Sequence, residues 1–271
     1  MAFTEIQRRV CRLIAANRVA SGESYVAGGV ALNELLRAPR VSQDIDLFHD
    51  TEEALAATWS ADRALLAAHG YRVTVVRERP SFVEAELSDE AGRTLAQWVR
   101  DSAFRFFPLV EHPDFGLVLH PFDLATNKVL ALVGRLEPRD WIDLIACVRS
   151  LQPLGYLAWA ACGKDPGYSP GAILEHAART SRYTASDLAG LAFDGGPPDP
   201  ANLSREWRGM LSAAREILPL LPPDEVGKCV LDAQGRLFTG GSDTLSDDLV
   251  RGRVRFHAGR IRGAYPEVRP A

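Results

Sequence analysis

Along the first fifty residues the apolar positions change period twice. Ile6, Val10, Leu13 and Ile14 recur at helical spacing, with Arg8, Arg9 and Arg12 elsewhere around the turn, and predict an amphipathic first helix. Ser24 to Ala27 reads as a short buried strand. Gly28-Gly29 turns it into a helix over Val30 to Leu36, which stops ahead of Pro39 because the residue before a proline resists helical geometry. Asp44 to Phe48 is the next strand, alternating acidic and apolar residues. Asp50, with Glu53 three residues on, has the pattern of an N-cap opening a helix through Ala68, which Gly70 ends. Tyr71 to Arg77, Phe82 to Leu87 and Thr94 to Val99 then have strand character. Pro80 separates the first two, and Asp89-Glu-Ala-Gly92 forms a hairpin turn before the third.

Downstream, Asp123 is the expected cap of a helix over LATNKVLALVGR, and Pro138 precedes a second, RDWIDLIACVRS, that ends before Pro153. From residue 153 onward glycine and proline become frequent. Helical stretches such as Gly171 to Thr180 and Leu203 to Leu218 lie between them, and CVLDAQGRLFTG reads as a small hairpin around Ala233-Gln-Gly235. The pattern predicts an α/β (α+β) chain of two domains. Residues 1–152 would form a mixed sheet flanked by helices, and residues 153–271 a mainly helical C-terminal domain.

Composition narrows this only a little. With 46% hydrophobic and 24% charged residues the chain is ordinary globular protein. A net charge of −4 carries no global nucleic-acid signature, so such a partner would need a local basic patch. Cys11, Cys147, Cys162 and Cys229 are scattered without a CxxC pair, which argues against a disulfide framework or structural zinc and for a reducing cytosol. The N-terminus lacks the continuous apolar core of a signal peptide, and no apolar run reaches bilayer length. A soluble cytoplasmic protein without a membrane partner is expected.

Chemistry concentrates in Ser42-Gln-Asp-Ile-Asp-Leu-Phe48. Strand alternation puts Asp44 and Asp46 on one face and Ile45 and Leu47 on the other. Two carboxylates so close repel unless a cation sits between them, and hard ions such as Mg²⁺ take oxygen ligands of this kind. The competing reading is an exposed edge strand with a solvated acidic face. The Gly28-Gly29 step lets backbone approach a ligand, and a helix N-terminus favours phosphate, although alone it could be just a tight connection. Glycine pair, short helix and Asp-x-Asp together place a phosphate cradle beside a metal site.

The arrangement resembles the nucleotidyltransferase superfamily of DNA polymerase β type. More closely, Gly28-Gly29-Val-Ala-Leu32 with Arg40-x-Ser42-x-Asp44-x-Asp46-Leu-Phe48 resembles the AbiEii/AbiGii toxin family. The likeness continues in Lys128-Val-Leu-Ala-Leu132, Arg135 and Arg139-Asp140-x-x-Asp143-Leu144, and spans residues 24 to 150. The resemblance implies a nucleotidyltransferase-like N-terminal domain and roles for the matching positions. Gly28 and Gly29 would hold the triphosphate of an NTP, and Ser42 would contact phosphate or orient the acids. Asp44 and Asp46 would hold Mg²⁺ or Mn²⁺. Lys128, with Arg139 nearby in the motif, would neutralise the triphosphate, and Asp143 would complete the acidic cluster or act as base. Arg139, Asp140 and Asp143 share a helical face at spacings of three and four, which also suits a plain surface ion-pair set. Lys128, on an otherwise apolar helix, could instead snorkel to the surface.

One departure stands out. Where many members of the superfamily carry a third carboxylate on a strand after Asp-x-Asp, this chain has Gln97, which leaves Asp143, Asp101 or Glu86 to supply it. The run Arg251 to Arg262 carries five arginines and a histidine without an acid, suited to a phosphate backbone or to a solvated basic strand. His49 is expected to face solvent beside the acidic strand, and Trp98, Trp141, Trp159 and Trp207 to be core.

The leading expectation is a Mg²⁺-dependent nucleotidyltransferase that moves an NMP from an NTP to an acceptor hydroxyl. By resemblance the acceptor is RNA, at a tRNA 3′ end, and the protein is the toxin of a toxin–antitoxin or phage-defence pair with an antitoxin partner. The alternatives are an antibiotic-type enzyme acting on a small molecule, and a catalytically silent nucleotide- or RNA-binding module on the same fold.

Overall fold

The computed structural model describes residues 3–179 and 183–266. In chain order the elements are α1 (Glu5–Ser21), β1 (Ser24–Ala27), α2 (Gly28–Leu36), β2 (Arg40–Val41), β3 (Asp44–His49), α3 (Glu52–Ala68), β4 (Arg72–Arg79), β5 (Phe82–Asp89) and β6 (Gly92–Arg100). Then come β7 (Phe104–Arg105), β8 (Val110–His112), β9 (Gly116–Val118), α4 (Pro121–Arg135), α5 (Pro138–Ser150), α6 (Leu154–Ala161), α7 (Pro170–Ala178) and α8 (Ala185–Leu188). The last are β10 (Ala192–Phe193), α9 (Pro200–Ile217), β11 (Cys229–Leu231), α10 (Ser242–Val250), β12 (Arg255–His257) and β13 (Arg260–Ile261). Thr180, the last residue of one expected helix, lies outside the described residues. The result is a mixed α/β protein, as the sequence pattern predicts.

The chain divides into two compact units: residues 1–103, 109–120 and 192–195 in the first, and 104–108, 121–191 and 196–271 in the second. The first is built on a seven-stranded mixed sheet in the order β4-β5-β6-β3-β1-β9-β8. β3 lies parallel to β6 and antiparallel to β1, with Asp46 opposite Ala27 on one side and Gln97 on the other. One face is apolar and closed: Ile45 and Leu47 join Ala96, Trp98, Val83, Ala85 and Leu87, all buried. α1 and α3 cover it. Thr4 caps α1 in a capping box with Gln7, and Ile6, Val10 and Ile14 turn inward as their spacing requires. Between the two helices lies a buried polar knot. Arg18 approaches Asp62 at 3.7 Å, and Asp62 also accepts hydrogen bonds from Asn17 (2.7 Å) and Trp98 (2.9 Å).

The second unit is mainly helical, and its apolar cluster of Tyr156, Trp159, Ile217, Leu221, Val230, Phe238 and Leu245 joins α6, α9 and α10 to β11. Trp141 and Trp207 are fully buried, as is Trp98 in the first unit, and Trp159 is 5% exposed. Among the described residues no helix is long and apolar enough to cross a membrane.

Three local expectations are corrected. Thr51, not Asp50, caps α3, its hydroxyl accepting from Ala54 N–H at 3.0 Å. α4 begins at Pro121, so Asp123 sits inside the first turn and accepts instead from the amides of Phe106 (2.9 Å) and Phe107 (3.0 Å). The hairpin expected around residues 233–235 does form: the Asp232 carboxylate organises the turn, Asp232 N–H donates to the Arg236 carbonyl (2.8 Å) and Phe238 N–H to the Val230 carbonyl (3.1 Å), while β11 also pairs with β12. His49 is fully buried, because strand alternation puts it on the face of Ile45 and Leu47.

Buried between Ser24 Oγ (3.1 Å) and the Val99 carbonyl (3.3 Å), the His49 imidazole is pushed by desolvation down to about 4, despite the opposing pull of that carbonyl. Below the ordinary value of about 6.5 the unfolded chain therefore binds the proton that the native state refuses, and stability falls as pH drops from there toward 4. A urea titration across this interval is expected to lose about 3 kcal/mol to this group. His49→Gln should flatten that part of the pH profile.

Candidate active site

β1 ends at Ala27, opposite Asp46 on β3, and the chain turns there into α2. The turn is left-handed at Gly28 (φ +65°), a conformation that residues with a Cβ rarely adopt. Space makes the requirement absolute: a Cβ on Gly28 would overlap the Asp46 carboxylate. At Gly29 a Cβ would press on the Arg40 guanidinium and lie 3.0 Å from Ser42 Oγ. The glycine pair is therefore packed by the side chains of the acidic motif itself.

Asp44 and Asp46 alternate with buried Ile45 and Leu47 and stand half-exposed on the opposite face. Ser42, 2% exposed, donates to Asp44 Oδ1 at 3.2 Å, and its carbonyl accepts from Gln7 Nε2 at 3.1 Å, tying the loop to α1. Arg40 is buried on β2, which pairs with β10. The sequence reading quoted Arg40 within the motif but gave it no role. Its place two residues before Ser42 was the available signal, and its burial against Gly29 was not legible. In the first unit the structure thus brings Gly28, Gly29, Arg40, Ser42, Asp44 and Asp46 together.

Across the sheet on the same face, Asp46 is followed by Gln97 on β6 and Glu84 on β5, and Gln97 donates to Glu84 at 2.9 Å. Gln97 thus stands beside Asp46 as an amide. Glu86 lies across from Leu95 and approaches Arg93 at 3.7 Å, and Asp101 accepts from the Ser102 N–H at 2.8 Å. Among the described residues no group of three or more His, Cys, Asp or Glu could hold a metal. Two carboxylates on one face do fit Mg²⁺ or Mn²⁺, which proteins bind through one or two acids with substrate phosphates and water completing the sphere.

In the second unit, Lys128 on α4 lies 3.0 Å from Asp140 and 2.9 Å from Asp143, both on α5. Arg135 adds bonds of 2.6 and 2.9 Å to Asp140. Both carboxylates are fully buried and the Lys128 side chain is 9% exposed, so the lysine neither snorkels nor joins a surface ion-pair set. Burial would raise the Asp140 carboxyl, but Arg135 and Lys128 outweigh it and hold it below its ordinary value. Arg139 is not part of this network; it pairs with Glu137 at 2.6 Å. Asp140 and Arg135 are the members that the sequence reading left without a role.

The family model described as "Nucleotidyl transferase AbiEii toxin, Type IV TA system" matches residues 12–220. Among solved structures, JHP933 from Helicobacter pylori is similar with a TM-score of 0.53 at 15% identity, over 80% of this chain and 95% of that one. A second H. pylori chain is similar with a TM-score of 0.50 at 15% identity, over 80% and 96% respectively. At such identity the likeness is one of fold. No curated protein matches the chain.

Removing one partner from a buried charge network leaves the rest uncompensated. Lys128→Met should therefore destabilise by about 3–5 kcal/mol in urea denaturation, as Asp140 and Asp143 lose their shared cation. Lys128→Arg should lose less.

Proposed function

The chain belongs to the AbiEii nucleotidyl transferase toxin family, and from that premise we propose that it transfers an NMP from an NTP to a hydroxyl of RNA, at the 3′ end of a tRNA. The observation that carries this reading is the packing of Gly28 and Gly29 against Asp46, Arg40 and Ser42. It keeps backbone, two acids and a buried cation in one place, which is what an NTP with its counter-ion requires.

Asp44 and Asp46 would hold Mg²⁺ or Mn²⁺, which when bound offsets the charge building on the leaving pyrophosphate. Gly28 and Gly29 present backbone to the triphosphate without a side chain intervening. Ser42 orients Asp44, and Arg40 adds fixed positive charge behind the turn. The acceptor oxygen bonds to the α-phosphorus, the bond to the β-phosphate oxygen breaks, and pyrophosphate leaves while the hydroxyl proton passes to a base. We assign Lys128 to the triphosphate, with Asp143 holding that lysine or taking the proton, and leave Arg139 a secondary part in nucleotide binding. In the cell the enzyme would act in the cytoplasm as the toxin of a toxin–antitoxin pair, restrained by an antitoxin.

A second reading draws on Gln97. With an amide beside Asp46, metal affinity rests on two carboxylates, and a silent nucleotide- or RNA-binding module on the same fold would look the same. Calorimetric NTP binding without turnover across RNA and small-molecule acceptors would favour it.

Incubation with each labelled NTP, Mg²⁺ and total RNA, followed by mapping of the product, tests the leading reading. Asp44→Ala is expected to cut labelling by at least about a hundredfold with the fold intact by circular dichroism. Full activity in the Asp44→Ala, Asp46→Ala double variant would sink the metal assignment. Arg40→Lys should raise the KM for NTP more than it lowers kcat, since it keeps charge but loses the planar fork.

A further inference from the structure

The basic run at the end of the second unit lies beyond the stretch matched by the family model and takes no part in the site above. It is built into the fold. β12 pairs with β11, β13 pairs with β7, and two close approaches fix the chain on either side of β13. A Cβ on Gly259 would collide with the Phe104 ring, and Gly263 (φ +70°) lies against the Phe107 carbonyl. His257 is held in turn, its Nε2 2.8 Å from the Phe106 carbonyl.

This bracing forms a cleft of about 420 Å³ lined by Leu231, Arg255, Phe256, His257, Arg260 and Tyr265 among others, none of them acidic. Residues 251–266 hold five arginines and no Asp or Glu, in a chain whose net charge is −4. Tyr265 lines the cleft and is 74% exposed, so its ring is open to a stacking partner. Among the described residues Arg260 has no acidic partner, and its side chain reaches only the Gly263 carbonyl at 3.4 Å.

We propose that this cleft is a binding surface for single-stranded RNA, with Arg255 and Arg260 on the phosphodiester backbone and a base stacked on Tyr265. Fixed cations beside an exposed aromatic are how sequence-tolerant single-strand binders work: charge follows the backbone while any base offers a face to the ring. The inference deepens the RNA-acceptor reading and rests on it. It assigns the grip on the acceptor to residues that take no part in nucleotide binding.

The test is fluorescence anisotropy of the full chain, without NTP, on a labelled single-stranded RNA of roughly a dozen nucleotides, with total tRNA as competitor. Tyr265→Ala is expected to weaken binding about tenfold. Each of Arg255→Gln and Arg260→Gln should lower the slope of log affinity against log salt by about 0.7. The KM for NTP should stay unchanged in all three, and Arg260→Gln and Tyr265→Ala, at exposed positions, guard against loss through misfolding. Wild-type binding with variants that match it in affinity and slope would overturn the cleft while leaving an RNA acceptor standing. Failure of the wild type to bind or label any RNA would overturn both. Loss of polyglutamate binding in the variants with RNA affinity unchanged would make the surface a protein-facing one and overturn the proposal.

Discussion

The contact between Gly28 and the Asp46 carboxylate is the constraint on which the first unit's chemistry depends. It exists because β1 and β3 are antiparallel neighbours in a register that sets Ala27 opposite Asp46, so the residue after Ala27 must pass directly over the acid. Only a residue without a Cβ can do so, and the left-handed turn that aims the chain into α2 selects glycine a second time. Register, turn and carboxylate are thus one requirement. A slip of one residue in the pairing would send Asp44 and Asp46 to the apolar face and Ile45 and Leu47 into their place.

Asp44 and Asp46 can stay half-exposed because the other face of the sheet supplies the stability. That face buries Leu47 and Trp98 and closes over the Arg18–Asp62 pair. The second unit uses charge differently. Lys128 against Asp140 and Asp143 is a buried triad of one cation and two anions, to which Arg135, 45% exposed, adds a second cation from the solvent side. Such sets are weak sources of net stability but costly to break, since each survivor becomes an uncompensated buried charge. Any catalytic use of Lys128 is therefore overlaid on a structural one. Kinetic loss at that position has meaning only beside a stability measurement.

Much of this was legible in the sequence, and the failures have physical causes. Alternation placed Asp44 and Asp46 on one face because strand geometry is local, and the glycine pair with Asp-x-Asp identified the family because both parts of the motif are contiguous. His49 was misread by treating it as a neighbour of the acids when the same alternation put it with Leu47. Thr51 displaced Asp50 as cap because the two differ by one position, which propensity does not resolve. Arg40's burial against Gly29 and the ladder of β11 with β12 depend on long-range pairing, which no window of sequence contains. Lys128 was visible as a charge on an apolar helix, but its two partners on α5 came from packing between helices.

The basic run shows why its residues are arginines. β12 and β13 commit their backbones to ladders with β11 and β7, so they present charge only through side chains, and Arg253 just ahead of β12 is met by Asp248 at 3.6 Å. Arginine's planar fork loses less freedom per hydrogen bond than the lysine ammonium and lies flat against rings and phosphates alike. On a body of net charge −4, such a stripe creates a local field of opposite sign to the whole. Any attraction of a polyanion to this protein is then short-range and confined to the stripe. On the proposed reading of the stripe as an RNA surface, that combination favours a flexible single strand over duplexes approaching the acidic remainder of the surface.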